Sequence, residues 1–270
     1  MTSLGADCPI GVFDSGIGGL SVLKEIQQLL PNENLIYVGD SAHAPYGDRS
    51  AEYVQKRSQF IADFLLNQGV KAIVIACNTA TAIAAKQLRE TMDIPVVGLE
   101  PAIKPAAKIS KNGIIGVLAT QQTIDSERLL GLTERYANDK KVLAQACPGL
   151  VELVESSKLD HPETEALLKK YIQPLLKQGV DVLILGCTHY PFLLTSILNI
   201  IDTDIKVLET GKPVAQQLKR ILAQNNLEKF GENKTSTLTF YNSSNDIKHH
   251  NTMKKLWQRD ITINELPNLN

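Results

Sequence analysis

Basic runs, long apolar stretches and paired cysteines are all missing from this 270-residue chain, and each absence removes a class of function. Lysine and arginine number 28 against 29 aspartates and glutamates, with no cluster of positive charge to track a phosphate backbone or an anionic membrane. The expected partner is a small molecule, with no nucleic acid and no membrane. The start, MTSLGADCPIGVF, has no basic stretch ahead of an apolar one, and FLLTSILNII (192 to 201) is too short to span a bilayer, so a cytoplasmic protein is predicted. Four cysteines, Cys8, Cys77, Cys147 and Cys187, form no C-x-x-C pair. Neither a zinc knuckle nor a redox dithiol is indicated, and free thiols are expected in a reducing compartment.

What the chain does contain is a repetition. QGVKAIVIACNT (68 to 79) returns as QGVDVLILGCTH (178 to 189), type for type at an offset of 110 residues. Each copy reads as a helix end closed by Gly69 or Gly179, then a short branched apolar run suited to a strand buried on both faces, then a cysteine. PIGVFDSG (9 to 16) echoes in IIGVLATQ (114 to 121), and DIPVVG (93 to 98) in DIKVLE (204 to 209). Helical stretches at 20–30, 50–68 and 163–178 intervene, the alternation expected of parallel sheets clothed in helices.

The predicted fold is two similar α/β domains with largely parallel sheets related by pseudo-symmetry and an active site in the cleft between them. The first domain is expected over 1–100 plus 213–270, the second over 101–212. In the tail, NNLEKFGENKTS (225 to 236) reads as a loop, TLTFYN (237 to 242) as a strand and NTMKKLWQR (251 to 259) as a helix, packed back on the first domain. Ligands of open α/β sheets sit beyond the carboxyl ends of the strands, so both repeated cysteines should face one cleft.

Cys77 precedes Asn78, Thr79 and a run of helix formers, placing its thiol at a helix start, where backbone N–H groups favour a thiolate and can hold a carboxylate. Cys187 precedes Thr188, His189 and Tyr190 and is expected to sit the same way, with the histidine available to tune its proton. A lone cysteine ending an apolar strand is ordinarily a packing residue; its recurrence beside small polar groups is what favours chemistry. Cys8 and Cys147 lack such neighbours and read as packing residues. Asp14 and Ser15 enter a glycine-rich turn at 16–19 that is a weak dinucleotide fingerprint, since Asp14 would oppose a pyrophosphate and Ser21 replaces the last glycine, although Asp40 mimics a ribose-binding acid. Thr120 and Thr123 offer hydroxyls at the matching strand end of the second half. Glu152 and Glu155 lie three apart on one helix face, either a solvated pair or support for Cys187.

The motifs DSGIGG (14 to 19), APYG (44 to 47), ACNTAT (76 to 81), VGLEPA (97 to 102), CPGLVELVE (147 to 155) and LGCTHYP (185 to 191) resemble glutamate racemases in order and spacing, over roughly residues 9 to 215. The resemblance implies a two-base reaction without cofactor or metal: one cysteine removes the alpha proton as thiolate, the other delivers a proton to the opposite face as thiol. It implies that Cys77 acts on D-glutamate and Cys187 on L-glutamate, with Asp14 and His189 as auxiliary groups and Glu152 supporting the second cysteine. The expected substrate shell comprises Asp14 and Ser15, then Pro45, Tyr46 and Gly47, with Asn78, Thr79, Thr120, Thr123, Thr188 and His189 from further along the chain. A homodimer and supply of D-glutamate for peptidoglycan are implied as well. Two cysteines do not encode side-chain length, so aspartate stays open, as does a sensor that binds an acidic metabolite without turnover. A pyridoxal-phosphate racemase would need a Schiff-base lysine, which neither repeated strand end offers.

Overall fold

The computed structural model describes residues 5–229 and 236–267; residues 230–235 of the expected loop lie outside them. The chain lays down four parallel strands, β1 (Ile10–Asp14), β2 (Leu35–Gly39), β3 (Ala72–Ile75) and β4 (Val96–Gly98), then four more, β5 (Ile114–Ala119), β6 (Lys141–Ala146), β7 (Val182–Leu185) and β8 (Lys206–Leu208). The spatial order β2-β1-β3-β4 of the first set is repeated as β6-β5-β7-β8 in the second. The sequence repeat is thus a repeat of topology, and Cys77 and Cys187 follow equivalent central strands, β3 and β7. Gly69 and Gly179 adopt positive φ of 73° and 84°, the left-handed conformation that ends the preceding helix at little cost only for glycine.

The tail extends the first sheet. β9 (Leu238–Asn242) pairs in parallel with β2, and β10 (Ile263–Glu265) pairs with β9. The helix Ile247–Trp257 connects them, starting four residues before the expected range. Among the described residues no helix is long and apolar enough to cross a membrane.

Alternation along the strands distributes the apolar side chains between the faces of each sheet. Ile10 and Val12 point into a core that includes Leu20, Leu23 and Ile26 of the helix Leu20–Leu29, Leu218 and Leu222 of the helix Gly211–Gln224, and Leu150, Leu185 and Tyr190 from the second unit. Phe13, Ile73 and Ile75 point instead into a core private to the first unit, and Ile115, Val117 and Ile184 into one private to the second. The two units are therefore welded along one side and separable along the other.

Thr81 ties β3 to the segment leaving the first unit: its hydroxyl donates to the Ile75 carbonyl (3.3 Å) and accepts the Leu99 N–H (3.0 Å). Thr81→Val keeps the shape but orphans a buried N–H, and is expected to lower unfolding free energy in urea by about 1–2 kcal/mol. Unchanged stability would show that this bond is replaceable.

Candidate active site

Cys77 and Cys187 line the same cavity, a narrow space of about 10 Å³ walled also by Ser15, Tyr46, Asn78, Thr188 and His189. Pro45, Gly47, Thr79 and Thr120 complete its polar wall, with Val151 and Gly186, which the sequence did not point to. So small a space holds about one water, and an amino acid requires the walls to part. A neighbouring pocket of about 80 Å³ shares Pro45, Gly47, Thr120 and Val151 with it.

The two thiols have different surroundings. Cys77 caps the helix Asn78–Thr91, its Sγ accepting the Ala80 N–H at 3.4 Å and lying 3.7 Å from the Ser15 hydroxyl. Burial nevertheless wins: together with the charge of Asp14 it pushes the thiol well above its ordinary value, which favours the protonated form. The helix start does favour the thiolate, the Ala80 N–H lowering the pKa as expected, but desolvation outweighs it. Cys187 does not sit the same way. A 3-10 turn, Tyr190–Leu193, and a five-residue helix, Leu194–Leu198, follow it, because Pro191 offers no N–H near the start. What Cys187 has instead is His189, whose Nδ1 is 3.7 Å from Sγ.

His189 is 1% exposed, and its Nε2 lies 2.7 Å from Glu155 Oε1. A carboxylate only accepts, so Nε2 carries hydrogen and Nδ1 faces the thiol. Burial opposes a charged imidazole, yet hydrogen bonds to Cys187 and Glu155 outweigh it and hold His189 well above its usual value. Glu155 also accepts the Ile17 N–H at 2.7 Å, while its Oε2 is buried without a partner among the described residues. The acid in contact with the histidine beside Cys187 is thus Glu155, whereas Glu152, expected in that place, is exposed and lines the neighbouring pocket. They stand three positions apart on the helix, and only Glu155 is turned toward the glycine turn at 16–19.

Asp14 is fully buried behind the cavity wall. Its Oδ2 accepts N–H groups from Gly16 (3.2 Å) and Gly19 (2.9 Å), and its Oδ1 accepts the Thr188 hydroxyl at 3.2 Å across the units. Burial raises its pKa, opposed by His189 and by these amides. Asp14 therefore occupies the N–H groups that a pyrophosphate would need, and the dinucleotide reading of the turn fails on that contact. Thr120 reaches the cavity and meets Thr79 Oγ1 at 3.0 Å, whereas Thr123 is not among the wall residues and bonds to Thr120 from behind. Asn78 stands apart: both polar atoms of its side chain are buried in this wall without a hydrogen-bond partner among the described residues. Such groups are costly unless a ligand satisfies them. Cys147 is a packing thiol, its pKa pushed up to about 12 by burial and by Cys187.

Known proteins share this fold. A family model for Asp/Glu/Hydantoin racemases matches residues 10–218. A glutamate racemase of Ectopseudomonas mendocina is 51% identical over 90% of this chain and 92% of its own length. The crystal structure of a glutamate racemase isoform from Bacillus anthracis superposes with a TM-score of 0.86 at 34% identity, covering 96% of this chain and 97% of that one. That of the Francisella tularensis glutamate racemase in complex with D-glutamate gives 0.85 at 32% identity, covering 97% and 98%. With matches of this extent, and two cysteines facing one closed cavity, the chain belongs to the Asp/Glu/Hydantoin racemase family and, within it, to the glutamate racemases.

Proposed function

We propose that the chain interconverts L- and D-glutamate without a cofactor, Cys77 exchanging the alpha proton on the D face and Cys187 on the L face. The observation that carries this reading is the pair of buried thiols in one cavity, each with its own proton environment: Ser15 and Asp14 beside Cys77, His189 and Glu155 beside Cys187. The D-glutamate complex of the Francisella relative supports the choice of substrate.

The chemistry is demanding, because an ordinary thiol has a pKa of about 8.5 and the alpha hydrogen of an amino acid is far less acidic. Three features meet that demand. The substrate ammonium brings positive charge into the buried cavity, where an opposite charge favours the Cys77 thiolate that burial alone disfavours. The unpaired Asn78 amide and the N-terminus of the helix Asn78–Thr91 suit a substrate carboxylate, and binding it there offsets charge developing at the alpha carbon. The buried walls around Cys77 and Cys187 leave little room for water beside a bound substrate, which strengthens both effects. His189, its pKa held up by hydrogen bonds to Cys187 and Glu155, keeps a donor beside Cys187. Asp14, Ser15, Thr79, Thr120 and Thr188 orient the substrate directly or through one another.

In a cell with a wall the product is D-glutamate for peptidoglycan, and we assign the protein to the cytoplasm as a homodimer on the same reading. Incubation of dialysed protein with L-glutamate in D2O, followed by circular dichroism and mass spectrometry, tests the reaction. Loss of optical activity with deuterium entering the alpha position is expected. Absence of exchange with both enantiomers would leave an acid-binding role in its place, and exchange with aspartate alone would move the substrate.

A further inference from the structure

A charged cluster outside the cavity governs one of its walls. Asp40, fully buried just beyond β2, receives two hydrogen bonds from Arg57 of the helix Ala51–Asn67: Nε to Oδ2 at 2.9 Å and Nη2 to Oδ1 at 2.7 Å. The Tyr46 hydroxyl donates to the same Oδ2 at 2.6 Å. Arg57 and Tyr46 are themselves 6% and 1% exposed, and the guanidinium lies over the Phe60 ring, 4.9 Å from its centroid. Burial and the adjacent carboxylate raise the Tyr46 phenol well above its ordinary value, so it stays a donor.

Tyr46 lines the cavity beside Cys77, and the next residue reaches across the cleft. A Cβ on Gly47 would fall 2.8 Å from Thr120 Cβ and 3.0 Å from its Cγ2, so the Gly47 backbone packs against the Thr120 side chain as closely as glycine permits. Arg57, Asp40, Tyr46, Gly47 and Thr120 thus form one continuous line from the first unit's interior to the second unit. The line runs along the side where the units are not joined by a common core. A buried ion pair contributes little stability beyond what apolar residues of the same volume would, but its bidentate geometry fixes position.

We propose that Asp40, clamped by Arg57, is a positioning residue for racemisation: by holding the Tyr46 hydroxyl it sets the wall beside Cys77 and the contact of Gly47 with Thr120 that closes the cleft. The proposal rests on the function assigned above. It is tested with full-length wild type, Tyr46→Phe, Asp40→Asn and the double variant, reading kcat and KM for D-glutamate and, without substrate, amide hydrogen exchange in residues 44–49. Tyr46→Phe is expected to lower kcat/KM by about 10- to 100-fold, the scale of a misplaced wall, and to speed exchange in that segment. The double variant is expected to be no worse than Asp40→Asn alone, since both changes cut the same link. Asp40→Asn strands a buried guanidinium and can fail to fold; Tyr46→Phe removes one oxygen and then carries the test alone. Wild-type kinetic constants in Tyr46→Phe, or multiplying effects in the double variant, overturn the proposal. Should the wild type itself not turn over glutamate, the functional reading falls first, and unchanged exchange in Tyr46→Phe would dispose of the positioning role separately.

Discussion

Cys77→Ala and Cys187→Ala are each expected to lose about 10⁴-fold or more of kcat/KM for glutamate in either direction, the upper end of what a positioned proton-transfer group contributes. No neighbouring group substitutes well. Beside Cys77 stands the Ser15 hydroxyl, a far weaker acid than a thiol, and Asp14 lies behind the wall, engaged by two amides and Thr188. Beside Cys187, His189 is held by Glu155 and is not free to advance. Both cysteines are buried and small, so alanine leaves the fold intact, and thermal unfolding of the variants separates lost chemistry from lost structure. Racemisation within about 10-fold of wild type in either variant would end the two-base scheme.

Gly18→Ala should be almost as damaging without touching a chemical group. An added Cβ would fall 2.3 Å from His189 Nδ1 and 2.6 Å from Cε1, both in a fully enclosed ring. The imidazole must move, giving up its approach to Cys187 or its bond to Glu155. A loss of at least about 100-fold in kcat/KM is expected, as for a catalytic group displaced by an ångström. Gly69→Ala is the contrasting change. Its φ of +73° strains any side chain, yet nothing lies within 4 Å, so about 1 kcal/mol of stability should be lost with activity kept. Full activity in Gly18→Ala would mean that His189 need not face Cys187.

The sequence reading succeeded where a local pattern has one spatial outcome. An apolar run bounded by Gly69 or Gly179 and ended by a cysteine has to be a buried central strand, and the 110-residue offset between Cys77 and Cys187 matches the identical order of the two four-stranded sets. It faltered where tertiary approach decides. Glu152 and Glu155 share a helix face, and only the approach of Ile17, which donates its N–H to Glu155, tells them apart. Thr120 and Thr123 are both hydroxyls at one strand end, but one forms wall and the other buttress. Asp40 stood out only as an acid after a strand; its partners Tyr46 and Arg57 lie 6 and 17 residues away with no pattern linking them. The lowered acidity of Cys77 was hidden for a related reason, since a helix start is visible in sequence and the depth of burial is not.

The unequal surroundings of the two cysteines meet a constraint that comes from outside the protein. Enantiomers have the same free energy in water, so the equilibrium constant of racemisation is unity and kcat/KM must be equal in the two directions whatever the enzyme does. A defect confined to Cys187, His189 or Glu155 therefore slows L-to-D and D-to-L conversion alike when judged by kcat/KM, as does one confined to Cys77. The difference between a site built on histidine and carboxylate and one built on serine and a helix start can surface only in kcat and KM separately, as a preference for which enantiomer the enzyme holds while it waits. The duplicated scaffold supplies two like hands, and thermodynamics obliges them to work at one pace even though they are gloved differently.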